Sequence, residues 1–147
     1  MASILKVDAM QGVTAAGDIT ITSEGGAATQ SLQQGLAKAW CNFEQAATHT
    51  VRDSINISSL NDDGSGLTDT NYISSFGNSN YVAGGHAGRQ SATAVTAYWL
   101  FPTADGGTIV YSTSSTSWTG GYSIGTSSDL QELDLYLALC TIHGDLA

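Results

Sequence analysis

Strict alternation over short segments is the feature that most constrains this chain. In "GLAKAWCNF", starting at Gly35, the side chains of Ala37, Ala39, Cys41 and Phe43 fall on one side of an extended strand. Leu36, Lys38, Trp40 and Asn42 fall on the other. A period of two fits a strand and not a helix, and the same period returns along the chain. "THTVRDSINISSL" puts Val51, Ile55 and Ile57 on one face, and "VTAYWLF" puts Val95, Ala97, Trp99 and Phe101 on one face with Tyr98 and Leu100 opposite. In "LDLYLALCTIH" a strand gathers Leu133, Leu135, Leu137 and Leu139 on one side, whereas a helix scatters them. The other side carries Asp134, Tyr136, Ala138, Cys140 and Ile142.

Composition agrees. Only 12% of the residues are charged and 17 are glycine, so the straight-chain residues that favour helices are scarce. Further strand-like runs, "NYISSF", "NYVAGG", "TIVYS" and "SWTGGYSI", are separated by Gly, Asp, Asn and Ser, and "NDDGSG" reads as a turn. The expected fold is all-β, an antiparallel, jelly-roll-like β-sandwich over residues 36–147. Residues 1–35 form an extended N-terminal arm with two short strand-like pieces, "SILKV" and "GDITITS". So few apolar residues make no core of their own. Ile4, Leu5, Val7, Ile19 and Ile21 are therefore expected to lie against another surface, within the domain or on a neighbouring molecule. Several strands carry bulky apolar groups on both faces, which points to a second surface covered by the arm or by other subunits. Trp40, Trp99 and Trp118 are the candidate anchors, with burial in the core as the alternative for each.

A net charge of −9 with 4 Lys and Arg leaves no basic patch, which argues against nucleic acid and against an anionic membrane surface. No run reaches the length of a membrane span, and the start lacks the pattern of a signal peptide. "NIS" at Asn56 matches a glycosylation acceptor, read as chance without a secretory signal. Cys41 and Cys140 read as reduced core residues, and they can pair only if their strands are neighbours.

Three constellations bear on chemistry. "GYSIG" matches G-x-S-x-G with Ser123 as nucleophile, followed by Asp129 or Asp134 and then His143, but no βαβ alternation supplies the parallel sheet that motif needs. Asp62, Asp63 and Asp69 offer oxygen ligands for calcium, although their spacing is not that of an EF-hand and a polar turn explains them better. His49, His86 and His143 have no metal-ligand spacing. No cofactor is implied and no catalytic residue is assigned.

The block "GLAKAWCNF", with "VRDSINISSLNDDGSG" and "NYVAGG" after it, resembles a module of tailed-phage virion proteins, particularly those of cyanophages. Lys38, Ala39, Trp40, Asn42, Arg52, Asp53, Ser54, Asn56, Ser58, Ser59, Asp62, Gly64 and Gly66 keep the positions of that pattern. The opening "ILKVD" and the closing "GDLA" are similar to it as well, whereas Gly84 to Gly125 shows little likeness and "INIS" stands where the pattern has Phe. The resemblance implies a non-enzymatic structural protein of the virion exterior with a β-sandwich fold. The module occurs in tail fibres and in other exterior proteins. A chain of 147 residues without a repeat leaves no shaft, so a capsid decoration or cement protein is the expectation. Its partners are then the major capsid protein and copies of itself, as a homotrimer. The alternative is a receptor-binding knob of a tail fibre.

Overall fold

In a computed structural model, residues 4–15, 19–22, 25–26, 28–46, 48–88, 97–102, 111–123 and 130–147 are described. The chain divides into two compact units, Met1–Leu36 and Ala37–Ala147.

The first unit has little regular structure. Residues 4–15 contain no strand, so the expected strand at "SILKV" is not formed. "DITIT" contributes β1 (Thr20–Thr22), which pairs antiparallel with β2 (Thr29–Ser31). One helical turn, α1 (Leu32–Gly35), follows. The polar segment "GGAATQSLQQG" thus holds both β2 and α1. Three-residue strands contribute few cross-strand pairs, and the local hairpin rests mainly on main-chain bonds.

The second unit is an antiparallel β-sandwich. Its strands are β3 (Ala39–Glu44), β4 (Thr50–Ile55), β5 (Ile57–Gly64), β6 (Leu67–Tyr72), β7 (Val82–Gly88), β8 (Ala97–Phe101), β9 (Ser115–Ser123), β10 (Leu130–Glu132) and β11 (Leu137–His143). One sheet runs β4-β3-β11-β7; the other runs β10-β9-β6-β5, with β8 also on β9. The alternation read in "GLAKAWCNF" is found: Ala39, Cys41 and Phe43 are buried, and Trp40, Asn42 and Glu44 are half-buried on the other face.

Two segments read as single strands are each split between the sheets. "TVRDSINISSL" turns at Asn56, whose φ of 57° is left-handed. There the chain leaves β4 for β5 in the other sheet. Asn56 tolerates this conformation because its short amide can bond locally. Its Oδ1 accepts from the Ser74 amide at 2.7 Å, and its Nδ2 donates to the Ser74 carbonyl at 3.0 Å. Val51 and Ile55 consequently stay exposed while Ile57 is buried, so the three do not share a face. Likewise the leucine-rich end is divided into β10 and β11. Leu135 is buried in the crossover, Leu133 and Tyr136 are exposed, and the face of β11 that enters the core is Ala138, Cys140 and Ile142 rather than the leucines.

Further boundaries differ from expectation. The strand near "NYISSF" is β6, which lies earlier, at Leu67–Tyr72, and Ser115–Ser123 is one long strand, β9. "TIVYS" lies mostly outside the described residues; its Tyr111 forms a bridge with Thr116.

The inner face of β6 and β9 is unusually hydroxylic. Thr68, Thr70 and Thr116 are buried, so each hydroxyl needs a partner. The Trp118 indole N–H donates to Thr70 Oγ1 at 3.0 Å, and Thr70 donates to the Thr116 carbonyl at 3.2 Å. Thr116 Oγ1 bonds the hydroxyls of Tyr72 and Tyr81, and Tyr81 reaches the Ser112 carbonyl at 3.0 Å. Around them Tyr72, Phe76, Tyr81 and Tyr111 form a continuous series of ring contacts at 4.7 to 4.9 Å. Burying such rings stabilises by roughly 1.5–3 kcal/mol each.

Candidate partner-binding surfaces

The outer face of the β4-β3-β11-β7 sheet is built from the residues that alternate away from the core. One row reads Ile55, Trp40, Thr141 and Gly84; the next reads Asp53, Asn42, Leu139 and His86. Ile55 and Leu139 are exposed, and Val82, opposite His143 at the strand end, is 73% exposed. Trp40 is half-buried, and a Cβ at Gly84 would meet nothing, so the surface beside the ring row is open. The outer edge strand β4 carries a bulge opposite Asn42 and Phe43, and Arg52 there pairs with Glu44 at 2.8 Å. A bulge and charges on an edge discourage strand addition. The face bearing Ile55, Trp40, Leu139 and Val82, not this edge, is therefore the available contact surface.

On the outer face of the other sheet, Trp99 and Phe101 stack with centroids 5.3 Å apart. Gly121, the register partner of Trp99, makes room for the indole, because a Cβ there would run into the ring. The Trp99 Nε1 is buried without a hydrogen-bond partner among the described residues, while Phe101 is half exposed. Ser117 and Asp69 continue that face two residues along the strands. Of the three tryptophans, then, Trp118 is core, while Trp40 and Trp99 lie on outer faces. Val95 lies outside the described residues.

In the first unit Ile4 and Leu5 are 80% and 79% exposed, and Val7, Met10, Val13 and Ile21 are exposed too. Ile19 is half-buried. No residue of this unit whose burial is described is buried.

The chemical constellations are placed as follows. Ser123 closes β9 in an antiparallel sheet, not the parallel sheet on which a nucleophile elbow is built. Asp134 Oδ1 accepts from the Gly66 amide at 2.7 Å, and His143 ends β11 in the other sheet, its Nε2 3.5 Å from Thr141 Oγ1. Asp129 lies outside the described residues. Asp62 Oδ1 accepts from the Gly64 amide at 3.1 Å, as in a polar turn. Asp63 has its carboxyl pushed up, by burial first and then by Asp69 and Asp62. No group of three His, Cys, Asp or Glu among the described residues is arranged to hold a metal ion. No helix among them is long and apolar enough to cross a membrane.

A buried polar chain escaped the sequence reading. Gln45 is fully buried: its Oε1 accepts from the Leu135 amide at 3.1 Å, and its Nε2 donates to the Gly66 carbonyl at 3.0 Å and to Thr68 Oγ1 at 2.9 Å. Thr68 Oγ1 also bonds His49 Nδ1, 3.1 Å away, with the donor set by the imidazole tautomer. The other ring nitrogen, Nε2, lies 3.6 Å from Asp62 Oδ1. Hydroxyl, imidazole and carboxylate stand in the order of a nucleophile relay, yet Thr68 is only 1% exposed and its oxygen admits no substrate. The signal for this chain was faint, a glutamine directly after the strand "AWCNFE". Compared with protein-family models, with curated proteins and with solved structures, the chain has no match.

Proposed function

We propose that this protein is a non-enzymatic structural component of a tailed-phage virion, a decoration or cement protein on the exterior of the capsid. The observation that carries the reading is the arm: Ile4, Leu5, Val7, Met10 and Val13 all stand exposed in a unit where no residue whose burial is described is buried. Such a segment gains stability only by burying those side chains elsewhere, about 25 cal/mol for each Å² of apolar area removed from water. The capsid surface and neighbouring copies, in a homotrimer, are the partners of this reading. The outer sheet face bearing Trp40 and Leu139 adds a second contact area. Repetition over a symmetric shell multiplies contacts that are individually weak. The sequence likeness to phage virion modules supports the same assignment.

A second reading, a receptor-binding knob of a tail fibre, is favoured by the stacked Trp99–Phe101 pair beside Ser117 and Asp69, a mixed aromatic and polar surface suited to recognition. Gold-labelled antibody against this chain separates them on intact virions. Label over the head supports decoration, label on the tail supports the knob, and virions free of label overturn both.

A further inference from the structure

Cys41 on β3 and Cys140 on β11 are direct register partners in the middle of their sheet. Both are buried, free thiols on its inner face. Their row is completed by Ser54 on β4 and Gly85 on β7, so each cysteine has the other and one small residue as lateral neighbours. Directly opposed residues of an antiparallel pair stand about 4.5 or 5.5 Å apart at Cα, according to the hydrogen-bonding phase. Both spacings fall inside the span of roughly 4.4–6.8 Å that a disulfide bridges. Joining the two sulfurs therefore requires no movement of one strand past the other.

Burial decides when they can join. Thiol–disulfide exchange needs a thiolate and access for the oxidant. Burial, with a smaller contribution from Asp53, pushes the Cys41 thiol up to about 12. Burial also raises Cys140, helped by Cys41 and partly offset by the Cys41 backbone. While β3 and β11 are packed, neither sulfur ionises near neutral pH nor meets a reagent. The opportunity lies in folding, before the sheets close.

We propose that Cys41 and Cys140 form a cross-strand disulfide site that records the redox conditions under which the chain folds. Folding in the presence of a disulfide oxidant such as oxidised glutathione closes the bond; folding under reducing conditions leaves two thiols that the closed sandwich then protects. In the first step the thiolate of one cysteine attacks oxidised glutathione and expels one glutathione thiolate. The second cysteine's thiolate then attacks the mixed disulfide and expels the other. Two thiols become one disulfide, the two electrons reduce oxidised glutathione to two glutathione molecules, and the two protons pass to the released thiolates.

The full chain, unfolded and reduced, is refolded in parallel with oxidised or with reduced glutathione. A third sample, folded in reductant and freed of it, meets oxidised glutathione without denaturant. The oxidised refolding should lose two hydrogens by mass, yield one joined peptide pair containing Cys41 and Cys140 on digestion, and melt at a higher temperature than the reduced form. The third sample should link at least roughly tenfold more slowly than the first. Free thiols or two glutathione adducts after oxidised refolding would overturn the site, and a third sample that links as fast as the first would overturn the protection. Cys140→Ala should show no rise in melting temperature after oxidised refolding; the same rise without Cys140 would sink the disulfide as its cause.

Discussion

Two residues, Gln45 and Asn56, hold this sandwich in ways that an apolar core alone cannot, and a third, Asp63, opposes it. Gln45 ties the end of β3 to β6 and to the crossover before β11. In Gln45→Leu the Gly66 carbonyl still accepts from Gly120, and Thr68 still bonds His49, but the Leu135 amide is left buried without a partner. The variant should lose about 2–3 kcal/mol, read from denaturant titration. Asn56 marks the corner between the sheets. Asn56→Gly keeps the left-handed backbone and loses only the two bonds to Ser74, whereas Asn56→Ala also takes on backbone strain, so alanine should be worse than glycine by about 1–2 kcal/mol. Asp63 works in the opposite direction. Its carboxyl is raised in the folded state, so the unfolded chain holds fewer protons there and stability falls as pH rises through that range. Asp63→Asn should therefore raise the urea midpoint at pH 7, and the gain should vanish at a pH where Asp63 is protonated in both states.

At the scale of elements, the arm and the sandwich should respond differently to substitution. Ile4→Asp, Leu5→Asp and Val7→Asp together alter side chains that stand exposed. The triple variant should keep the denaturant midpoint of the parent while its self-association, followed by sedimentation, weakens by roughly tenfold or more. How far elements were readable in the sequence follows the same division. The faces of β3 from Ala39 to Phe43 were legible because the alternation is uninterrupted and one face is small and apolar, although the strand starts only at Ala39 and Gly35 ends α1. Strands β4 and β5 were not separable, because Val51, Ile55 and Ile57 keep the period across a corner that only the φ of Asn56 reveals. The leucines misled for a related reason: spacing reports a strand but not which face the sheet buries, and here alanine, cysteine and isoleucine go inward. β6 hid because its inner residues are Thr68, Thr70 and Tyr72, polar by composition and yet satisfied in the core. Of the candidate contact residues, Trp40 was correctly placed on the face away from the core, but no spacing foretold the chain from Gln45 to His49. That network joins residues distant in sequence, and only the packed sheets bring them together.

For the molecule as a whole, the proposed assembly rests on the apolar surface that this small acidic β-protein leaves exposed. Among the described residues fifteen large hydrophobic side chains are exposed, and eight of them (Val51, Ile55, Ile73, Val82, Phe101, Leu133, Tyr136 and Leu139) belong to the sandwich. Single exposed apolar residues are ordinary. Ile55, Leu139 and Val82 share one outer sheet face with the half-buried Trp40, and, with an arm in which no residue whose burial is described is buried, they call for a covering surface. A net charge of −9 keeps the free chain soluble and does not supply that cover. Multi-angle light scattering of the intact chain at micromolar concentration tests the proposed homotrimer. A trimer has a mass of three times 15.2 kDa, and a mass of 15.2 kDa that persists as concentration rises would rule it out.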